Sequence, residues 1–405
     1  RRLCAYVCGT DALRLLEQYA TDLLSDRLEN NPYWFYSDIH GFAYDNFRRI
    51  DAQQTVDTFE LRLEQVTCAV SSCLRKNEQA GHTWMPVGEL LEQCNWMLRQ
   101  NDGGELSVSM QFLDALLNYE DRFYYDAKRV AFAATYQTEA HIEKQVRILC
   151  HIHPLSPEQI ILSDHLCEEQ RAAVRGIVDA GNLSILTGKP GTGKTTAIAD
   201  ILRQYLGKKS IATLAPTGRA ASRVWEALQQ EFSADQLEGI IHCTIAKFLG
   251  QGAPSFLRAQ SLRAAKDIDL LIVDETSMVD IFQMAELLDA IDVARCKVIL
   301  VGDKNQLPSI AAGNVLTDLI AIGVPCFYLE ENHRSVHSIF DNATRILENS
   351  EDAFVQDEHF RFVPSEMLDT VLETTDFSQT QVLFLTPYRS ARYKGSTAGI
   401  NAILR

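Results

Sequence analysis

The chain has 405 residues, of which 46% are hydrophobic and 23% charged. That balance suits a globular protein of about two to four domains and excludes a low-complexity or fibrous chain. The apolar runs, such as DLLIV and KVILV, are too short to cross a bilayer. The opening RRLCAYVCGT lacks the apolar stretch of a signal peptide, and its first residue, Arg rather than Met, points to a fragment. The net charge of −16 argues against a nucleic-acid partner until its distribution is read. Residues 201–225, 247–266 and 379–405 carry Lys and Arg but no acid, against 54 carboxylates in the whole chain. The ten cysteines show no C-x-x-C pair, which predicts reduced thiols in a cytoplasmic protein.

In chain order, ALRLLEQYATDLLSDRL and TVDTFELRLEQVTCAVSSCLRK carry apolar residues at helical spacing, separated by the turn-rich NPYWFYSDIHGF. WMPVGELLEQC predicts a short segment then a helix, DRFYY a strand and TEAHIEKQVRIL a helix. Cys150-His151-Ile152-His153 resembles a metal corner, but Pro154 and Pro157 follow at once, so a helix end before a linker is expected. Beyond the linker HPLSPEQIILSD, strands are predicted at LSILTG, SIATLAP, DLLIVDE, CKVILVGD and CFYLE with helices between them, and a further strand at QVLFLTP. This alternation predicts an α/β fold with a parallel sheet between helices.

The stretch ILTGKPGTGKTTAI fits G-x-x-x-x-G-K-[ST] between a strand and a helix. Gly188, Pro190, Gly191, Thr192, Gly193, Lys194, Thr195 and Thr196 form the expected phosphate cradle, with Lys194 toward the β- and γ-phosphates and Thr195 on Mg²⁺. Asp274 and Glu275 end an apolar strand, where open α/β sheets bind ligands. Asp274 suits the metal shell and Glu275 the polarisation of an attacking water. Gln306, after the strand VILVGD, is placed to sense the γ-phosphate. Gln170 carries the paired donor and acceptor that adenine's edge requires.

Together EEQRAAV, LTGKPGTGKTT, LAPTGRAA, TIAKFLG, IVDETSM, VGDKNQLPSI, LEENHRS and LFLTPYR resemble, in order, the RecD-type family of 5′→3′ DNA helicases in superfamily 1B. The resemblance implies a P-loop NTPase, RecA-like parallel sheet, with the first core domain over residues 154–323 and the start of a second over 324–405. It implies a helix-hairpin-helix-like region over 1–80 and a winged-helix-like unit over 81–153. ATP and Mg²⁺ are the implied cofactors, and Arg334 the implied arginine finger. Pro216, Thr217, Gly218, Arg219, Thr244, Ser277, Met278 and Arg389 are the implied DNA contacts, and 247–266 the pin that splits the duplex. The implied partners are single-stranded DNA and single-strand/duplex junctions, with possible nuclease or repair proteins beside a monomeric motor.

Two features depart from the family pattern. Ala246 stands where His is usual and Thr276 where Ala is common. The late Ser-Gln-Gly and Thr-Arg motifs do not occur before Arg405, so a fragment at both ends is expected. The expected activity is ATP-dependent 5′→3′ DNA unwinding in repair or recombination. The alternatives are a DNA-binding subunit or truncated fragment with impaired motor function, and a nucleotide-dependent switch.

Overall fold

The computed structural model describes residues 59–101, 107–152, 160–331 and 337–350, with isolated positions before residue 59 and short pieces between 353 and 396. The chain divides into two units, residues 1–333 and 334–405. The expected helix-hairpin-helix-like region and the QVLFLTP strand lie largely outside the described residues, as do Arg334 and Arg389.

In the first unit, α1 (Phe59–Gln79), α2 (Val87–Asn101) and α3 (Met110–Tyr119) pack beside a small antiparallel sheet of order β1-β3-β2. Its strands are β1 (Met85–Pro86), β2 (Phe123–Tyr125) and β3 (Arg129–Phe132). These elements enclose a core around Val66, Leu74, Met85, Leu90, Leu113 and Val130. The helix α4 (Ala133–His151) follows. It ends at His151, whose Nδ1 lies 2.6 Å from the Arg147 carbonyl oxygen, in keeping with a helix end at Cys150-His151.

After α5 (Glu168–Asp179) comes a six-stranded parallel sheet of order β6-β5-β7-β8-β4-β9. Its strands are β4 (Leu183–Gly188), β5 (Ile211–Ala215), β6 (Ile241–Thr244), β7 (Leu270–Val273), β8 (Lys297–Gly302) and β9 (Cys326–Leu329). Strand residues alternate between two cores because successive side chains point to opposite faces. Leu271, Val273, Val298 and Leu300 face one. Leu270, Ile272, Ile299 and Val301 face the other, which holds α5, α6 (Lys194–Arg203) and α7 (Gly218–Glu231). With both faces covered, the four inner strands β4, β5, β7 and β8 read as continuous apolar runs, and this is why they were visible in the sequence, while the edge strand β9 was legible from its apolar and aromatic CFYL although it is only partly buried. The sixth, β6, has the half-buried sequence IHCT and gave no such run.

Two boundaries differ from expectation. Helix α4, placed in the 81–153 unit, buries Ile142, Val146 and Leu149 in the same cluster as Leu183 and Leu271. Strand β9, placed after residue 323 in a second core domain, instead pairs with β4 in parallel, Ile185 opposite Cys326. The 247–266 insertion consists of the turn after α8 (Ile245–Phe248) and a surface helix, α9 (Ser255–Ala265), whose Phe256 is 69% exposed. It packs beside α10 (Ile281–Ala290). In the second unit, α11 (His337–Leu347) presents Asn342, which exchanges hydrogen bonds of 2.7 and 2.8 Å with the Val355 backbone.

Candidate nucleotide-binding site

The loop leaving β4 wraps tightly before α6. Gly191 and Gly193 have φ of 87° and 80°, a left-handed conformation that glycine adopts without a Cβ penalty. A Cβ on Gly193 would also run into the Gln170 amide, and one on Gly188 into the Leu329 carbonyl and the Thr192 hydroxyl. Thr192 is buried and its hydroxyl donates to the Lys189 carbonyl at 2.9 Å, closing the loop. Lys194 Nζ donates to the carbonyls of Gly188 (2.5 Å) and Lys189 (3.1 Å), so its ammonium sits inside the cradle. Burial pulls its pKa below the ordinary range, against the pull of Asp303, Glu275 and Asp274. Thr195 and Thr196 follow, half-buried, in the first turn of α6.

Gln170 is buried in the first turn of α5. Its Oε1 accepts from the Cys167 N–H at 3.2 Å and its Nε2 donates to the Thr192 carbonyl at 3.2 Å. In this arrangement the amide ties the phosphate loop to α5, and hydrogen bonding to adenine would require it to exchange these partners.

Asp274 and Glu275 leave β7, two strands from β4 across β8. Burial first, and then the neighbouring Glu275 charge, push the Asp274 carboxyl up to about 6. Glu275 adopts φ 52°, a left-handed conformation in which a side chain is strained. Its Oε2 is buried and finds no hydrogen-bond partner among the described residues. A strained backbone and an orphaned buried carboxylate oxygen at one residue are the mark of a site shaped for a ligand. Asp303, at the end of β8, is also buried, and Gln306 follows in a turn closed by its own N–H on the Asp303 carbonyl at 3.1 Å.

On the other side of β7 lie β5 and β6. Thr217 caps α7, its hydroxyl oxygen accepting from the Ala220 N–H at 3.3 Å. Thr244 caps α8 in the same way, accepting from the Lys247 N–H at 3.3 Å. The two strands are in register, Ala215 opposite Thr244. Thr217, Gly218 and Arg219 are exposed and Pro216 half-buried. Met278 is 43% exposed, whereas Ser277 is only 5% exposed and its hydroxyl has no partner among the described residues. Met278 is thus reachable from outside, and Ser277 lies beneath the surface.

The acid-free stretches are not acid-free in space. Arg203 pairs with Asp200 (3.5 Å) and Glu231 (3.4 Å), and Lys209 with Asp269 (3.9 Å). Arg258 pairs with Glu286 (3.7 Å), and Lys266 Nζ donates to the carbonyls of Asp289 and Ile291 at the end of α10. Four of the expected cations are thus partnered within the protein.

One contributor, Glu169, was given no role in the sequence, and another, Arg223, was read only as part of the basic stretch 201–225. The Glu169 carboxylate accepts from the backbone N–H groups of Glu330 (2.8 Å) and Glu331 (3.1 Å), which fixes the chain leaving β9. Arg223, exposed on α7, places positive charge where both Lys194 and Asp274 feel it. Its position one helical turn after Arg219 was the available signal.

Residues 165–361 match the family model described as an AAA domain. Over 232 residues the chain is 38% identical to the RecBCD enzyme subunit RecD of Mycolicibacterium smegmatis, covering 51% of this chain and 41% of that protein. Over 169 residues it is 38% identical to the ATP-dependent RecD2 DNA helicase of Deinococcus radiodurans, covering 41% of this chain and 21% of that one. The match therefore spans less than half the length of either relative. Among solved structures, the Pif1 helicase of Candida albicans aligns over 47% of this chain and 44% of its own, at 21% identity and a TM-score of 0.34. With a phosphate loop, a carboxylate pair and a six-stranded parallel sheet in these positions, the sheet domain of this chain is similar to the RecD-type proteins over the part that they share.

Proposed function

We propose that this chain is the nucleotide-binding part of an ATP-dependent DNA helicase that moves 5′→3′ along single-stranded DNA, in the cytoplasm, in repair or recombination. The observation that carries the reading is the strand order: β7, which leads into Asp274 and Glu275, lies between β5, whose end leads to Thr217, and β8, which pairs with β4 ahead of the phosphate loop. The Asp274 N–H donates to the Leu214 carbonyl at 2.8 Å, so a shift of the carboxylate pair is passed directly to the strand that leads to Thr217.

In this reading ATP lies in the loop 188–196, its phosphates against the backbone N–H groups and the N-terminus of α6. Lys194 leaves the Gly188 and Lys189 carbonyls for the β- and γ-phosphates. The Thr195 hydroxyl and the Asp274 carboxylate are the hard oxygen ligands that Mg²⁺ prefers, and the buried setting of Asp274 with the unpartnered Glu275 oxygen beside it fits a divalent cation. Bound Mg²⁺ supplies neutralisation of the phosphate oxygens. Glu275 orients the attacking water and takes its proton, and Gln306 hydrogen-bonds the γ-phosphate. Arg334 is assigned the role of arginine finger.

DNA is held by its phosphates at Pro216, Thr217, Gly218, Arg219 and Thr244, where each threonine hydroxyl, already accepting as a cap, keeps its proton to donate. Met278 and Arg389 complete the assigned DNA contacts, with Ser277 behind Met278. The likeness to a RecBCD subunit supports a nuclease or repair partner. A monomeric motor remains part of the proposal. Among the described residues no helix is long and apolar enough to cross a membrane.

The test is ATP hydrolysis with and without single-stranded DNA, followed by unwinding of duplexes with a 5′ or a 3′ single-stranded tail. DNA-stimulated turnover with unwinding from the 5′ tail is expected. Turnover indifferent to DNA overturns the helicase reading in favour of a nucleotide switch, and DNA binding without turnover favours a DNA-binding subunit.

A further inference from the structure

A cleft of about 1030 Å³ separates the sheet edge from the α1 and β2–β3 region of the same unit. Pro216, Thr217 and Met278 line it, so it continues directly from the surface to which the phosphate grip has been assigned. Its sheet-side wall carries bare apolar side chains beside Thr217, Asp280, Gln283 and Ser309. Phe282 is 39% exposed and Ile310 is 91% exposed. Phe282 sits in the first turn of α10, while its neighbours Ile281 and Met284 are buried, so the ring points away from the core and packing does not explain it.

The opposite wall brings Phe132 with Arg75, whose guanidinium lies 6.0 Å from the centre of that ring, and Arg122, which donates to Glu120 at 3.1 Å. The acids of the cleft are engaged at two of three places. Asp280 accepts from the Gln283 N–H at 2.8 Å, and Glu78 accepts from the Thr135 hydroxyl while burial raises its pKa. Asp121 is the third. Next to the cleft, the Gly313 N–H donates to the Gly81 carbonyl at 3.1 Å, and the Ser309 hydroxyl braces the 308–312 loop of the sheet-side wall by donating to the Ala311 and Gly313 carbonyls.

Aromatic and thioether faces flanked by arginines suit a flat, neutral π-system better than a phosphate, which a wall of this kind would desolvate without partners. We infer that the cleft takes an unstacked base of the strand gripped at Thr217, its face against Phe282 and Met278. This inference rests on the proposed DNA-binding role of the Thr217 surface.

The test compares, by fluorescence anisotropy on the full chain, an oligothymidylate with an oligonucleotide of the same length and charge whose central residues are abasic. Wild-type protein is expected to prefer the oligothymidylate. Phe282→Ala should weaken oligothymidylate binding about tenfold, as loss of one base stack does, and leave abasic binding unchanged. Phe282→Trp should restore the preference. A 2-aminopurine placed in the strand should be quenched by wild type and not by Phe282→Ala. Equal losses on both oligonucleotides, or no loss on either, overturn the base pocket while leaving the DNA-binding reading intact. Failure of wild-type protein to bind either oligonucleotide overturns the DNA-binding reading itself.

Discussion

Gln170 Nε2 donates to the carbonyl oxygen of Thr192 at 3.2 Å, and this one hydrogen bond joins the first helix of the sheet domain to the tip of the phosphate loop. Because Gln170 also holds the Cys167 N–H, removing its amide frees both the helix start and the loop. Gln170→Ala should lower stability by about 2 kcal/mol, about 1 kcal/mol for each of the two hydrogen bonds lost. If Gln170 acts as a loop tether, Gln170→Ala weakens ATP and GTP alike, as titration calorimetry would register. A loss confined to ATP identifies an adenine reader instead.

Lys194 is held inside the phosphate loop by two carbonyls, and burial disfavours its charge. Lys194→Ala should reduce hydrolysis more than about 100-fold, because in the proposed role the ammonium stabilises the transferring phosphoryl group. Single-stranded DNA binding without nucleotide should persist. Loss of that binding in an electrophoretic shift assay would contradict the assignment of Lys194 to phosphate.

The Glu275 carboxylate combines a left-handed backbone with an unpartnered buried oxygen. Glu275→Gln should keep nucleotide affinity and reduce turnover more than about 100-fold, since the amide is no base. Glu275→Gly should relieve the backbone and raise the melting temperature, by about 1 kcal/mol of stability, while turnover is lost. A melting temperature unchanged in Glu275→Gly would show that the conformation is not strained.

The Asp274 carboxyl titrates at about 6 in the folded chain, above the value of about 4 for a free carboxyl. The folded state therefore binds more protons than the unfolded state between those values, and stability falls as pH rises through that window. Asp274→Asn should flatten this part of the stability–pH curve. Because Mg²⁺ needs the ionised carboxylate, half-saturating Mg²⁺ for hydrolysis should rise about tenfold per pH unit below 6. A Mg²⁺ requirement independent of pH between 5 and 7 removes Asp274 from the metal shell.

Thr217 serves α7 as a cap, so a simple truncation confounds stability with binding. Thr217→Ala should lower stability by about 1 kcal/mol. Thr217→Asp should keep the cap and the fold while setting a negative charge against the DNA backbone. Single-stranded DNA affinity should then drop, with the melting temperature preserved. Retention of DNA affinity in Thr217→Asp would move the strand away from this surface.

The elements that read clearly in the sequence were those whose signal is local. A phosphate loop needs glycines at positions with positive φ and a lysine at the helix start, and Gly191, Gly193 and Lys194 supply them within a few residues. Buried parallel strands announce themselves as apolar runs, and LLIV and KVILVG did so. IHCT did not: β6 is a half-buried edge strand whose His and Thr break the apolar run, whereas the other edge strand, β9, keeps the apolar and aromatic CFYL. The helix α9 gave little signal for a related reason: it lies on the surface with most of its residues exposed, so no apolar stripe was required of it.

What the chain order of residues determined by itself was the chemistry at the carboxyl edge: phosphate loop, carboxylate pair and polar strand ends, each set by backbone conformation over a few neighbours. Tertiary structure alone decided which charges remain for a partner and where a groove forms. Lys209 meets Asp269 and Arg258 meets Glu286 across long stretches of chain, and Phe282 faces Phe132 over the same cleft. Coulomb attraction and burial depend on distance in space, and a linear sequence carries that distance only for residues a turn or two apart.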